Sequence, residues 1–341
     1  MNEDKYTVKD IAKMSGFSVR TVSRVINDKP NVKDETRAKI KKILKETGFQ
    51  SNIFAKNLRK RDMKNIMIVI EKQKKIYPGQ WYTNILQKMI NTASSKGYNV
   101  FMKEYVPEKA KEESEAFKLL RSGFVDAAVV FNIREKDEKV KMLKKLNLPF
   151  VTIGKSVEFD EVPYVVSNNW QGAYQAADYL ITQGNKELVF MVGSKKYTIN
   201  KDRISGFKGA LKDNNVNFRT NMIYEDIRSF KDSYNLAKKL IAENRVPEAF
   251  FISGDEKSFG VLKALNEKGF KVPDEVSVIG FDNIPISEYA IPALTTIEQQ
   301  ADKIVQETVN ILMNILNNND QEFEMQKVIP TKLIIRDSTG R

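Results

Sequence analysis

The sequence predicts an α/β protein in two parts: a small, basic, three-helix domain at the N-terminus, then a large body of two lobes with doubly wound parallel sheets. Three observations predict it. Apolar residues in the first 50 positions recur at helical spacing around a glycine turn, whereas the remainder alternates short apolar runs with amphipathic stretches. A length of 341 residues exceeds what one core usually organises. Charge is uneven as well: residues 1–62 carry 16 basic and 8 acidic side chains, a balance of +8 within the chain's +12.

The stretch TVKDIAKMSGFSVRTVSRVINDK places Val8, Ile11 and Ala12 on one face, breaks at Ser15-Gly16, and resumes with Val19, Val22, Val25 and Ile26. This is helix, tight turn, helix. Thr7 with Asp10 fits a capping box, and Ser18 caps the second helix by offering an acceptor to free N–H groups. A third helix, KDETRAKIKKILKETGF, has Asp34 and Glu35 in its first turn and Gly48 just past its end, as dipole and C-cap arguments expect. Beyond Asp62, β-rich runs appear at 65–70, 99–105, 126–131 and 149–154, separated by helical stretches of roughly 15 to 20 residues, and this alternation implies parallel pairing. It continues through 187–193, 248–254 and 276–282, enough βα units for two lobes in series. Such folds bind ligands at strand C-termini.

Composition removes whole classes of chemistry. The chain is 41% hydrophobic and 29% charged, which is globular, and its positive balance favours an anionic partner. With no cysteine and no histidine, zinc fingers, iron–sulfur clusters, thiol nucleophiles and Ser-His-Asp triads are excluded. No metal or cofactor is expected, and the protein is not read as an enzyme. The enzymatic alternative, a carboxylate-only sugar hydrolase using Asp282, lacks an identifiable second acid. MNEDKYTVKD has no apolar signal segment and no run of ~18 apolar residues follows, so a cytoplasmic location without membrane contact is expected.

Arg20 and Arg24 stand four apart on the polar face of the second helix. Alone they read as a solvated face. After a glycine turn, in a short helix rich in Ser and Thr, they suit a major groove, where Arg forks onto guanine and hydroxyls reach phosphates. Thr7, Asp10, Ile11 and Ala12, then Gly16, Ser18, Thr21, Val22, Ser23, Arg24 and Asn27, then Glu35, Thr36 and Arg37 resemble the headpiece of the LacI/GalR family of bacterial transcription regulators. The resemblance implies base reading by Val19, Arg20 and Arg24, phosphate contacts by Ser18, Thr21, Ser23 and Asn27, and Thr7 among the DNA-binding positions. It further implies a hinge helix in SNIFAKNLRKR that folds on the operator. There Asn52, Ala55 and the wedge Leu58 would enter the minor groove while Lys56 and Arg59 meet phosphates. Ser51 stands where the family commonly has proline.

NNWQGAYQAADYLITQG (168–184), DRISGFKGAL (202–211) and VPDEVSVIGFDNIPISEYAIPALTTIEQQ (272–300) resemble the periplasmic-binding-protein-like effector domain of the same family. This implies that Arg203 and Asp282 face an inter-lobe cleft as the main effector contacts, with Lys155, Phe230, Asp255, Trp81 and Tyr82 as further ones. Trp81 and Phe230 read equally as core, and Asp255 as an N-cap. Gly254 replaces a common ligand-binding asparagine, and Ser233 a common glycine. The expected lobes are about 63–165 with 293–327, and about 166–292 with 328–341, crossing near 163–168, 290–296 and 326–331. The resemblance implies a repressor that binds a pseudo-palindromic operator as a homodimer under a small-molecule effector, a sugar or sugar derivative. Some relatives also answer to a phosphoprotein. The alternative is a transporter's solute-binding protein, which would need an export signal and no headpiece.

Overall fold

The computed structural model describes residues 6–49, 63–72, 79–107, 114–317 and 323–340, and the chain divides into two units, Met1–Met63 and Lys64–Arg341. In the first unit, α1 (Val8–Ser15), α2 (Val19–Ile26) and α3 (Asp34–Glu46) bury Ile11, Ala12, Val22, Val25 and Ile40 in one small core. The capping box forms: Asp10 N–H donates to Thr7 Oγ1 at 3.3 Å, and Thr7 N–H donates to Asp10 Oδ2 at 2.8 Å. Gly16, at φ 72°, makes the left-handed turn that ends α1, a conformation glycine reaches without strain. At the other end of the unit the Phe49 N–H donates to the Leu44 carbonyl at 3.1 Å around Gly48 at φ 60°, closing α3 as a Schellman turn.

In the second unit the first sheet takes β1 (Asn65–Glu71), β2 (Asn99–Tyr105), β3 (Ala127–Val130), β4 (Phe150–Ile153), β5 (Tyr164–Ser167) and β11 (Gln326–Ile329) in the order β11-β5-β4-β3-β1-β2, all parallel. Both faces of β1 are buried, as a central parallel strand requires. Ile66, Ile68 and Ile70 pack under α4 (Gln80–Ser95) and α11 (Ala301–Leu316). Met67 and Val69, one residue out of phase, pack under α5 (Glu115–Arg121) and α6 (Glu138–Leu146).

The second lobe repeats the logic with β6 (Leu188–Met191), β7 (Ile223–Tyr224), β8 (Ala249–Ile252) and β9 (Ser277–Ile279), ordered β7-β6-β8-β9 and parallel. Leu188, Phe190 and Val192 meet α7 (Asn169–Thr182) and α8 (Thr198–Asp213), while Val189 and Met191 meet α9 (Phe230–Ala242) and α10 (Asp255–Glu267). α7 and α8 approach so closely that a Cβ on Gly206 would collide with the Trp170 carbonyl.

The chain changes lobes after Ser167, after Glu298 and after Ile329. The middle crossing falls later than the sequence indicated. β10 (Thr296–Glu298) still belongs to the second lobe, because Ile297 is fully buried in its core and Asp282 bridges Glu298; β10 also pairs antiparallel with β12 (Lys332–Ile334).

Candidate functional site

The headpiece face and the group around Arg203 and Asp282 are built from different elements. On α2, Val22 and Val25 turn into the core, which forces Arg20 and Arg24 outward into solvent together with Val19, 47% exposed. Ser18 caps the helix, accepting from the Thr21 N–H at 3.1 Å and lying 2.9 Å from the Thr21 hydroxyl. Asn27 closes it, donating to the Ser23 carbonyl at 2.6 Å. Neither Arg20 nor Arg24 is in an ion pair among the described residues. Arg37 instead serves the fold, donating to Asp28 Oδ1 at 3.0 Å and to the Lys29 carbonyl at 2.7 Å and so tying the turn after α2 to α3. Asn52, Ala55, Lys56, Leu58 and Arg59 lie outside the described residues.

In the body, Arg203 and Asp282 come together from α8 and the end of β9. Arg203 is 5% exposed; its Nε donates to Asn169 Oδ1 at 2.8 Å, an Nη donates to Ser253 Oγ at 2.7 Å, and its guanidinium lies 3.8 Å from the centre of the Phe281 ring. Burial lowers its pKa while nearby Asp282 opposes the shift. Asp282 sits at φ 118°, a backbone conformation that costs an L-residue of order 1–3 kcal/mol and persists where its surroundings enforce it. Its N–H donates to the Ile297 carbonyl at 2.7 Å, and its Oδ1 accepts from Gln299 Nε2 at 2.6 Å. Burial pushes this carboxyl up to about 6 against the pull of Arg203 and Lys257.

Lys257, on the first turn of α10, joins this wall. Its Nζ donates to the Ile227 carbonyl at 3.4 Å, and burial brings the ammonium down to about 8. Ser233 ties α9 to the same turn by donating to the Lys257 carbonyl at 2.7 Å.

The first lobe contributes Tyr82, whose hydroxyl accepts from Asn132 Nδ2 at 2.8 Å and is pushed up to about 12 by burial. Trp81 meets Tyr82 edge-on at 5.2 Å, and its Nε1 is buried with no acceptor among the described residues. The lobes touch directly. Tyr197 donates to Glu71 Oε1 at 2.9 Å, and Glu71 also receives Arg134 bidentately, with Nε at 2.8 Å. Gln80 N–H donates to Glu256 Oε1 at 2.6 Å, Thr198 donates to the Lys155 carbonyl at 3.2 Å, and Lys201 pairs with Glu135.

The remaining positions fare differently. Lys155 meets the second lobe through its backbone and leaves its side chain exposed. Phe230 is 41% exposed, and its ring stacks on Tyr234 at 6.3 Å. Asp255 requires a correction: it is fully buried, and its carboxylate accepts from Ile284 N–H at 2.9 Å, Ser287 Oγ at 2.8 Å and Thr296 Oγ1 at 2.5 Å. Those three donors use it to fix the 284–296 segment, and Gly254, not Asp255, stands at the N-cap of α10. Burial raises it to about 7.

Comparison with known proteins agrees with this architecture. Residues 7–52 match the family described as bacterial regulatory proteins, lacI family, and residues 177–339 match a periplasmic binding protein-like domain. The chain thus carries a lacI-family helix-turn-helix domain and a periplasmic binding protein-like domain. A relative from Histophilus somni, the HTH-type transcriptional repressor PurR, is 29% identical over 335 residues, 97% of this chain and 98% of the relative. The crystal structure of the lac repressor dimer bound to operator and the anti-inducer ONPF superposes with a TM-score of 0.86 at 20% identity, covering 99% of this chain and 100% of that one. The transcriptional regulator CelR–cellobiose complex gives a TM-score of 0.74 at 22% identity over 98% of this chain and 100% of that one.

Sequence reasoning gave no role to Lys257, Gln299, Asn169 and Ser253 beside Arg203 and Asp282, and it named Arg37 only as part of the headpiece motif, without its tie to the Asp28–Lys29 turn. Lys257 had a signal: Gly254 vacates space three residues earlier on the same turn. Asn169 and Ser253 had none, since a polar residue beside a strand end is ordinary until the fold brings it to Arg203.

Proposed function

We propose that the chain is a sequence-specific DNA-binding transcription regulator, a repressor, that works as a dimer on a pseudo-palindromic operator in the cytoplasm under a small sugar or sugar derivative bound in the cleft. One observation carries the reading: α2 buries Val22 and Val25 and thereby presents Val19, Arg20 and Arg24 together on an exposed face, between hydroxyl-bearing Ser18, Thr21 and Ser23. That face has the size and chemistry of a major-groove reader, with Arg for guanine edges and hydroxyls for phosphates. The hinge residues Asn52, Ala55, Lys56, Leu58 and Arg59, with Thr7 and Asn27, complete the proposed DNA contacts.

Arg203 and Asp282 supply the cleft's donor and acceptor, with Tyr82, Trp81, Phe230 and Lys155 around them. An effector shifts DNA affinity to the extent that it binds one lobe arrangement better than the other. Dimerisation is supported by Ile286, Tyr289 and Ile291, which are 49, 74 and 96% exposed on one loop and form an apolar surface of the kind partners cover. The names of relatives point the same way. The lac repressor neighbour is a dimer on operator, and the CelR neighbour holds cellobiose. The helix-turn-helix match over 7–52 weighs against a transporter's solute-binding protein.

Selection of bound duplexes from a random pool at two salt concentrations tests the reading, because phosphate contacts alone weaken steeply with salt. Enrichment of a pseudo-palindrome at both is the expected result. Uniform recovery that disappears at the higher salt would mean non-specific binding and end the proposal.

A further inference from the structure

We infer that the cleft effector carries an oxyanion, a carboxylate or a phosphate, and that Lys257 and Arg203 receive it together. The inference rests on the cleft being an effector site and concerns what that site selects. It begins with a missing side chain. Gly254 lies at φ 143°, and a Cβ placed there would stand 2.7 Å from Lys257 Cε, 3.4 Å from its Nζ and 3.6 Å from Asp282 Oδ2. The absent Cβ is what lets the lysine stem fold back across residue 254 and bring its ammonium to the wall that holds Asp282 and Arg203.

The cations on that wall are not ion-paired. Among the described residues neither Lys257 nor Arg203 has a carboxylate oxygen within the 4.0 Å of an ion pair. Arg203 donates to two neutral oxygens, and the acceptor for Lys257 is one carbonyl at 3.4 Å. Neighbouring carboxylates are already committed. Glu71 is held by Arg134 and Tyr197, Asp255 by three donors, and Glu256 by the Gln80 N–H. The two cations therefore feel Asp282, which Gln299 already engages, and Asp202, Glu256 and Asp232 only at longer range, with no carboxylate oxygen in contact with either.

A cation removed from water without a counter-charge is costly, and an entering oxyanion supplies the partner in the place where two donors can share it. The nearby neutral groups lean the same way. Trp81 Nε1 is a donor without an acceptor among the described residues, and the Tyr82 hydroxyl, accepting from Asn132, has its own proton to give. A neutral sugar brings donors and acceptors in equal measure and leaves that unpaired charge standing. A sugar acid or sugar phosphate would discharge it while offering a hydroxyl to Asp282.

Calorimetric titration of the full chain with matched compounds tests this: galactose against galacturonate, and glucose against glucuronate and glucose 6-phosphate. At least one anionic member should bind ten times more tightly than its neutral counterpart, and the stronger arm distinguishes carboxylate from phosphate. Lys257→Met, which keeps the stem and removes the charge, should abolish that preference, and Lys257→Arg should retain it. Equal or tighter binding of the neutral sugars, no binding by any anionic member, or an unchanged preference in Lys257→Met would each overturn the inference. Neutral-sugar binding that Asp282→Ala removes would leave the effector reading intact. Failure to enrich an operator would instead count against the regulator reading alone.

Discussion

Arg24 and Arg203 show how differently the two regions present a charged side chain. Arg24 stands in solvent on α2, outside any ion pair among the described residues, with its helix held from behind by Val22 and Val25. Arg203 is 5% exposed and fixed by Asn169, Ser253 and the Phe281 ring. In the headpiece, stability and recognition belong to opposite faces of one helix, so either can change without the other. In the cleft the same atoms serve both, and a substitution alters fold and binding together. An exposed arginine is free to meet a polyanion that arrives with its own counterions. The buried one is held by two neutral acceptors and an aromatic face, and no carboxylate among the described residues pairs with it.

Asp282→Ala should produce the largest effect. Effector response, read as ligand-dependent change in operator affinity, should disappear, and the second lobe should lose about 1–3 kcal/mol because Gln299 is left without its acceptor. A normal response would remove Asp282 from the site. Arg24→Ala should behave oppositely: unfolding of the headpiece is unchanged, while preference for operator over random duplex falls by about 1–3 kcal/mol. Undiminished preference would defeat the recognition-face assignment, and loss of headpiece stability would erase the contrast between the two regions. Arg37→Ala sharpens it. Arg37 binds the Asp28–Lys29 turn, so its loss should weaken the headpiece by roughly 1 kcal/mol, with any DNA effect following from that loosening.

Legibility in the sequence follows the same division. The recognition helix could be read because its logic is local: cap, period and polar face lie within ten residues, and Thr7, Asp10, Ser18 and Gly48 take the structural roles their positions imply. The strands could be read for a related reason, since Ile66, Ile68 and Ile70 alternating with Met67 and Val69 need only a sheet covered on both sides. The cleft could not be fully read, because Arg203, Ser253, Lys257, Asp282 and Gln299 come from separate elements of the second lobe and meet only once its sheet has formed. Asp255 illustrates the cost. Its place at a helix start reads as a cap, and its three donors come from about 30 to 40 residues downstream. Lys257 illustrates the converse: it looks like an ordinary charged helix residue until Gly254 is seen to open its path.

The smallest expected effect is in pH dependence, and it separates the two regions by sign. In the cleft, burial raises Asp255 to about 7 and Asp282 to about 6 from an unfolded value of 3.8. The native state therefore keeps protons that the unfolded chain has released, so the stability tied to these groups is full below about pH 4 and is lost as pH rises through 6 to 7. Lys257, lowered from 10.5 to about 8 with Asp282, Arg203, Glu256 and Asp232 around it, contributes stability that is full above 10.5 and lost as pH falls through 8. The site's own contribution is thus lowest between pH 7 and 8, where a bound oxyanion would relieve it. In the headpiece, the Thr7 hydrogen bonds hold Asp10 below 3.8, so its contribution is present above that value and is lost in acid. The chain's two tryptophans, Trp81 and Trp170, both lie in the body, so their fluorescence during urea unfolding reports that unit alone. Body stability should show a shallow minimum near pH 7–8 whose alkaline limb vanishes in Lys257→Met, while the protection of α1 amides, taken relative to their intrinsic exchange rates, falls only below about pH 4. A Lys257→Met profile parallel to that of the unaltered chain would mean the ammonium is solvated, and the division between an exposed and a buried way of holding charge would lose its cleft half.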